Sequence, residues 1–281
     1  APTNVNAGHR MDAPAAASPT AALAVQPTKL LVVWDYDWSL INENSDTWVV
    51  EQLCPQLMER FRTLRSSMGW TQLMDAQVQE LFARGVSRDE LEDCVSSVPV
   101  FKENVEAIRL AHKMQALQVV LSDANTVFIE AFLQRKELRH CFAEVISNKA
   151  AFDGEGKLRV WPFHEGAPHG CPLCPSNLCK GAVLRRLLEA MKPDKVFYVG
   201  DGGGDYCPAC EMREMDVLFC RAPPSPPLTH FGLHRRLQHC AEANRHGTAA
   251  KVVAKVVPWR SGAELLSGLS DAIDRISAEV K

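Results

Sequence analysis

Apolar residues fall into short runs of strand length at Leu30–Trp34, Leu117–Leu121, Val145–Ile146, Val196–Val199, Val217–Phe219 and Val252–Val257. Runs that are apolar at successive positions suit strands covered on both faces, whereas a strand with one wet face alternates. Between most of them the period lengthens to that of a helix, as in FKENVEAIRLAHKM (101–114) and CKGAVLRRLLEAM (179–191). This alternation predicts a doubly wound, mostly parallel, Rossmann-like α/β sheet with helices on both faces. Ligands meet such sheets at the carboxyl ends of the strands. Residues 45–99 break the pattern. They hold no convincing strand but several helical stretches, among them SRDELEDCVSS, where Ser87 and Glu90 form a capping box. The expected organisation is an α/β core of residues 29–44 and 100–281, with residues 45–99 inserted as a helical cap.

Composition narrows the partners. The 281 residues are 46% hydrophobic, enough for a substantial core. Thirty-one basic against 34 acidic residues leave a formal charge of -3, which gives no electrostatic footprint for nucleic acid or an anionic membrane. Small-molecule partners and a cytoplasmic location are therefore expected. No stretch is long and apolar enough to span a membrane. Residues 1–28 are rich in Ala, Pro, Thr and Asn without a continuous apolar segment, and read as a disordered tail; their scarcity of acids leaves organelle import open. None of these patterns encodes an oligomeric state.

The candidate chemistry sits where strands end. The first apolar run stops on Asp35 and Asp37, and buried carboxylates are costly unless a cation meets them. The second closes on Ser122 and Asp123. Lys180 opens a helix, a position where a cation opposes the helix dipole unless an anion is bound nearby. VFYVGDGGGD ends a strand on Asp201, crosses three glycines and presents Asp205. Singly, these read as turn carboxylates, a helix cap, a surface lysine and a strand-to-helix turn. Jointly, they fall at corresponding ends of adjacent strands.

The ordered set Asp35/Asp37, Ser122, Lys180 and Asp201/Asp205 resembles the four motifs of the haloacid dehalogenase-like phosphatases. DYDWSLINENSD, LSDAN, CPSNLCK, GDGGGDYCP and VVPW are similar to the eukaryotic phosphoethanolamine/phosphocholine phosphatase family, including its plant-type members, over residues 30–260. Two positions depart from the superfamily pattern: Ser39 replaces the commoner threonine, and Gly204 stands where many members carry asparagine. The chemistry also follows from charge. A phosphate monoester is dianionic, so a carboxylate nucleophile is repelled unless cations neutralise both, and Mg2+ suits an oxygen-ligand site. Asp35 is expected to attack phosphorus and hold the metal, forming an aspartyl-phosphate. Asp37 is expected to serve as general acid and base and to lend its carbonyl to the metal. Asp201 would complete the metal shell, and Asp205 would act through a metal-bound water or by orienting Lys180. Ser122 would bond a phosphoryl oxygen, and Lys180 would offset charge.

Asp46 and Asp123 are further acids beside this set, useful only if the substrate carries a positive group. The resemblance implies that they bind the amine or quaternary ammonium of phosphoethanolamine or phosphocholine. Trp38, Trp48 and Trp70 either line the same space, since cations favour aromatic faces, or pack the core and cap. Asp46 also reads as a helix amino-cap. Related family members favour pyridoxal phosphate, thiamine phosphate or pyrophosphate, which keeps the same mechanism on other substrates.

Ten cysteines in a long chain do not point first to disulfides. HEGAPHGCPLCPSNLCK gathers His164, His169, Cys171, Cys174 and Cys179, with Cys207 just beyond Asp205. One C-x-x-C with His169 or Cys207 to close it fits a tetrahedral structural Zn2+; reduced thiols packing a loop, or a disulfide, fit as well. No C-x5-R loop marks a nucleophilic cysteine. The competing class of function is an inactive, zinc-stabilised interaction module, against which stands the presence of every group the phosphatase reaction requires.

Overall fold

In a computed structural model describing residues 30–166, 169–224, 231–244 and 252–279, a seven-stranded sheet runs β4-β3-β2-β1-β5-β6-β7. The leader, residues 1–28, lies outside the described residues. The strands are β1 (Leu30–Trp34), β2 (Leu117–Asn125), β3 (Glu144–Phe152), β4 (Leu158–Trp161), β5 (Lys195–Gly200), β6 (Val217–Arg221) and β7 (Lys255–Trp259). All neighbours pair parallel except β3 and β4, which are antiparallel. The chain thus has the doubly wound α/β architecture that its apolar runs predict.

The helices are α1 (Ser45–Leu53), α2 (Met58–Leu64), α3 (Trp70–Ala83), α4 (Arg88–Ser96), α5 (Lys102–Lys113), α6 (Thr126–Arg135), α7 (Lys180–Met191), α8 (Tyr206–Glu211), α9 (Gly232–Asn244) and α10 (Gly262–Glu279). Strand β1 is central and wholly buried, and its side chains alternate between two cores. Leu30, Val32 and Trp34 join α5, α6 and α10 on one face, while Leu31 and Val33 join α7, α8 and α9 on the other. Phe197 and Val199 of β5 divide from Val196 and Tyr198 in the same way. A strand flanked on both sides and covered on both faces has no wet position, which is why its sequence is uninterruptedly apolar.

Helices α1–α4 form a third core, with Val49, Val50, Leu73, Met74, Val78, Leu91 and Val95 at its centre. The capping box at the start of α4 is present: Ser87 accepts from Glu90 N–H and Glu90 accepts from Ser87 N–H. This core reaches back into the α/β part through Phe128, Leu158 and Val160. Here the structure differs from the sequence reading. The run at Val145–Ile146 is the start of a nine-residue strand, and β4, which no apolar run marked, folds back on it as a hairpin. LRVW alternates because β4 is an edge strand, with Leu158 and Val160 buried under the helices and Trp161 outward. At the opposite edge, β7 begins at Lys255 rather than Val252, and Val256 is exposed. The preceding valines are not paired.

Asp75 joins the hairpin to α3. Its two oxygens accept Arg159 Nε and Nη2 at 3.1 and 3.2 Å, and Oδ1 also accepts Val160 N–H at 2.9 Å. Asp75→Ala removes the acceptor of a strand amide, whereas Arg159→Ala removes only a half-exposed ion-pair partner. Urea denaturation is expected to show a loss of about 1–3 kcal/mol for Asp75→Ala and a smaller loss for Arg159→Ala, whose ion pair is solvent-screened.

Candidate functional site

The candidate site forms at the carboxyl ends of β1, β2 and β5. After Trp34 the chain cannot continue as a strand, because Asp35 begins a single wide turn closed by Leu40 N–H to Asp35 O at 3.1 Å and Ile41 N–H to Tyr36 O at 3.0 Å. Within it Trp38 takes a left-handed conformation, φ +55°, rare for a bulky side chain. The turn is clamped from outside. Asn104 Nδ2 donates to the Ser39 and Leu40 carbonyls, Trp38 N–H donates to Glu43 O, and Arg221 donates to the Trp38 carbonyl and to Asn42 Oδ1. Strain at this position is tolerated because its surroundings overdetermine it.

Asp35, Asp201 and Asp205 converge, with one carboxylate oxygen of each lying within 4.8 Å of the others. Lys180 Nζ stands 2.8 Å from Asp35 Oδ1 and 2.8 Å from Asp205 Oδ1, and all three residues are buried. Asp205 has little left to offer a metal. Besides Lys180, its oxygens accept the Tyr198 hydroxyl at 2.7 Å and the amides of Asp201 and Gly202 at 3.1 and 2.9 Å. It also packs flush on β5: a Cβ on Gly200 would lie 2.7 Å from Asp205 Cγ. Of the two roles expected for Asp205, direct orientation of Lys180 is the one with contacts behind it. Asp35 Oδ1 accepts Tyr36 N–H at 2.8 Å, and Asp201 receives only a long bond, 3.4 Å, from Ser39 Oγ. The hydroxyl that Ser39 keeps in place of threonine is therefore used.

Charge is unbalanced in this cluster. Burial and the neighbouring Asp205 push the Asp35 carboxyl well above its usual range, against the pull of Lys180. Burial, Asp35 and Asp205 do the same to Asp201. Burial opposes the charge of Lys180, yet Asp205 and Asp35 outweigh it and hold the ammonium well above its ordinary value. Buried carboxylate oxygens with more negative charge than one lysine satisfies fit a hard divalent cation. Asp35 and Asp201 are the side chains placed to hold it.

Asp37 stands apart from the cluster, with Ser45 N–H donating to Oδ1 at 2.8 Å and Asn44 Nδ2 to Oδ2 at 3.1 Å. Its carboxylate is thus not among the converging acids. Burial, then the field of Asp46, raises its pKa well above the usual range. Ser122 is fully buried and its Oγ accepts Ala124 N–H at 3.3 Å, which leaves its own proton to donate. Asp123 is partly exposed beside it. Asp46 accepts Trp70 Nε1 at 2.6 Å through Oδ2, while Oδ1 is buried with no partner. The amino-cap of α1 is Asn44, not Asp46.

Other expected residues lie elsewhere. Trp38 packs edge-on against Phe231 at 6.2 Å, with Arg221 5.4 Å from its ring, while Asp46 is bonded to Trp70. Trp48 Nε1 reaches Cys94 O within the helical block. His169 is not placed to ligate a metal with the cysteines: Nδ1 accepts Cys171 N–H and Nε2 faces Pro175 O at 2.8 Å, so local backbone occupies both nitrogens. Three residues escaped the sequence reading. Tyr198 bonds Asp205; Asn148 donates to the Asp123 and Ala124 carbonyls at 2.6 and 2.9 Å and pins the end of β2; Arg221 braces the turn. Arg221 carried a signal, since it ends the apolar run of β6 just as Asp35 follows that of β1.

Sequence comparison finds relatives along nearly the whole described chain. The model of a family described as Putative Phosphatase matches residues 30–273. The chain is 34% identical over 257 residues to a thiamine phosphate phosphatase-like protein of Arabidopsis thaliana, covering 89% of this chain and 98% of that one. It is 33% identical over 198 residues to inorganic pyrophosphatase 2 of Arabidopsis thaliana, covering 68% and 70%. To the pyridoxal phosphate phosphatase PHOSPHO2 of Mus musculus it is 31% identical over 250 residues, covering 86% and 97%. Among the described residues no helix is long and apolar enough to cross a membrane.

Burial, with Asp123 adding to it and the Trp70 bond opposing it, lifts the Asp46 carboxyl from 3.8 to about 7. The folded chain then holds a proton that the unfolded chain has lost, so this residue's contribution to stability falls as pH rises from 3.8 to about 7. Asparagine keeps an oxygen for Trp70 without the charge. Melting temperature measured against pH is expected to show Asp46→Asn gaining on the parent protein through that window, with the gap constant above it.

Proposed function

Because the chain belongs to the Putative Phosphatase family, we propose that it is a magnesium-dependent phosphatase that hydrolyses small phosphomonoesters through an aspartyl-phosphate on Asp35. The observation that carries this reading is the division between two aspartates at the end of one strand. Asp35 is bound to Lys180 at 2.8 Å, which opposes the burial and the Asp205 charge that push its carboxyl up, and a bound Mg2+ would add a second cation favouring the ionised form a nucleophile needs. Asp37 is held away from the lysine under conditions that favour its proton, as a general acid needs. Two like groups in unlike surroundings allow opposite roles.

In this reading Asp35 attacks phosphorus as Asp37 hands its proton to the departing alkoxide. Asp37 then takes a proton from water as that water's oxygen attacks phosphorus, which releases phosphate and restores Asp35. Ser122 donates its hydroxyl proton to a phosphoryl oxygen. Lys180, fixed by Asp205 and Tyr198, offsets the charge on Asp35 and the phosphoryl group. Mg2+ held by Asp35, Asp201 and the Asp37 carbonyl would supply the remaining positive charge against the dianionic ester.

The family leaves the substrate open, since the three relatives are named for three different ones. The acids Asp46 and Asp123 favour an ester carrying a positive nitrogen. The unpartnered Oδ1 of Asp46 is an acceptor in want of a cation. Phosphoethanolamine and phosphocholine meet that requirement most simply. Thiamine phosphate, with its fixed cation, and pyridoxal phosphate, with a ring nitrogen that protonates, meet it also. Pyrophosphate does not, and would use the same groups without Asp46. The helical block 45–99 acts in this reading as the cap that restricts entry to small esters. The complete set of acids and lysine speaks against an inactive interaction module.

Phosphate release from these five compounds, with Mg2+ and with chelator, tests the reading. Turnover is expected only with Mg2+. Asp35→Asn is expected to lower kcat by at least about a thousandfold, and Asp37→Asn by about 10²–10⁴-fold. Asp46→Asn is expected to raise KM for the cationic esters and leave pyrophosphate unaffected. Turnover of none of the five would return the interaction-module reading.

A further inference from the structure

Outside the carboxylate cluster, the fold brings four sulfurs into one place. The Sγ atoms of Cys171, Cys174, Cys179 and Cys207 lie within 4.8 Å of one another, and those of Cys171 and Cys207 are 3.7 Å apart. The spacing separates the three readings open to the sequence. A disulfide needs about 2.05 Å between sulfurs. Thiolates about 2.3 Å from a tetrahedral zinc stand about 3.8 Å from each other. Inert thiols filling a core have no reason to converge in fours, and no other set of four cysteines gathers among the described residues.

The backbone around the sulfurs is shaped to let them converge. Cys179 is the amino-cap of α7, and its sulfur accepts Ala182 N–H at 3.4 Å. A thiol is a poor substitute for the usual Ser, Thr, Asp or Asn cap, but a sulfur anion gains from the positive end of the helix. Gly181 gives the sulfur of Cys207 room: a Cβ there would lie 2.4 Å from Cys207 Sγ. Gly170, at φ +73°, turns the chain into Cys171. Arg185 of α7 pairs with Glu211 of α8 at 3.0 and 2.6 Å, which joins the helix capped by Cys179 to the helix that carries Cys207.

We propose that Cys171, Cys174, Cys179 and Cys207 bind one structural zinc ion as a closed tetrathiolate site that ties the loop before α7 to α8. Four soft donors select zinc over magnesium, and a shell with no open position is structural rather than catalytic. Binding releases the thiol protons to solvent and changes no oxidation state. The consequence for the neighbouring site follows from chain order. Cys179 immediately precedes Lys180, and Cys207 follows Asp205 by two residues. The ion therefore clamps both sides of the Lys180–Asp205 pair, and these cysteines act as positioning residues rather than catalytic ones.

Elemental analysis of the full chain purified without added metal is expected to find about one zinc per chain. Cys174→Ser is expected to lose that zinc and melt at lower temperature, while Cys94→Ser, a thiol from the helical block, retains it. Where Cys174→Ser does not accumulate, the parent chain reconstituted with Co2+ should give thiolate-to-cobalt charge-transfer absorption with tetrahedral d–d bands. Zinc well below stoichiometry without the cobalt bands, iron in place of zinc, or a disulfide among these cysteines in intact-mass analysis would overturn the proposal. Metal content is read without turnover, so this site and the phosphatase reading stand or fail separately.

Discussion

The structure turns on negative charge placed where water is scarce. The Asp35, Asp201 and Asp205 oxygens lie within 4.8 Å of one another, so each pair of unit charges repels by at least about 3.5 kcal/mol at an effective dielectric of about 20. Lys180 at 2.8 Å from two of them attracts each by about 6 kcal/mol on the same terms. The lysine opposes the mutual repulsion. It does not cover the loss of hydration, which is several kcal/mol for each buried ion. That remainder is what a second cation would supply, and it is why Asp35 and Asp201 are pushed towards protonation when considered with the protein alone. Much of the local architecture keeps this deficit in place: the flush contact of Asp205 on Gly200, the two amides donated to it, and the clamped turn after β1.

How much of this was legible depended on the range of the interactions. Strands buried on both faces wrote themselves as apolar runs, and the residue at which each run stopped marked the site, because both follow from local hydrophobicity. The hairpin strand β4 was not legible, since an edge strand of four residues needs only two apolar positions. Its partner is the helical block, through Asp75 and the Leu158 and Val160 contacts. Tyr198 looked like any core aromatic of β5 because its role lies in the hydroxyl. Trp38 was read either as lining the space near Asp46, because cations favour aromatic faces, or as a packing residue. A left-handed backbone at that residue turns it towards Phe231 and Arg221 instead, and nothing in the residue type predicts such a conformation. His169 illustrates the same limit, for spacing suggested a ligand and two backbone groups had already claimed its nitrogens.

The helical block does more than cover the sheet. The first amide of α1, from Ser45, and its amino-cap residue Asn44 both hold the Asp37 carboxylate, so the helix start fixes the direction of the acid. Asp46 comes one residue later and Trp70, which begins α3, bonds it. The first turn of α1 therefore both holds the proposed general acid and carries the proposed cation acceptor. A shift of this turn would disturb leaving-group protonation and substrate selection together. Insertion of the block immediately after the first strand gives that coupling a covalent basis, with only residues 38–44 between Asp37 and Ser45.

Two cations serve the cluster, and their surroundings fit them for different work. Arg221 is buried among Trp38, Phe101, Phe231 and Trp259, with ring distances of 4.8 to 5.5 Å, and burial lowers it only to about 10, so it remains charged at neutral pH. Its planar fork is committed to the Trp38 carbonyl and Asn42, contacts a lysine could not reproduce together. It contributes a fixed field at Asp201 and the rigidity of the turn. Lys180 instead presents a compact ammonium with three donors, of which Asp35 and Asp205 engage two. One donor remains, and in the proposed reaction it would meet a phosphoryl oxygen without breaking either ion pair. A guanidinium at that position would have to fit a rigid plane between two carboxylates 2.8 Å away on either side, and a lysine at position 221 would leave the strained turn unbraced. The arrangement therefore separates the charge that shapes the backbone from the charge proposed to meet the substrate.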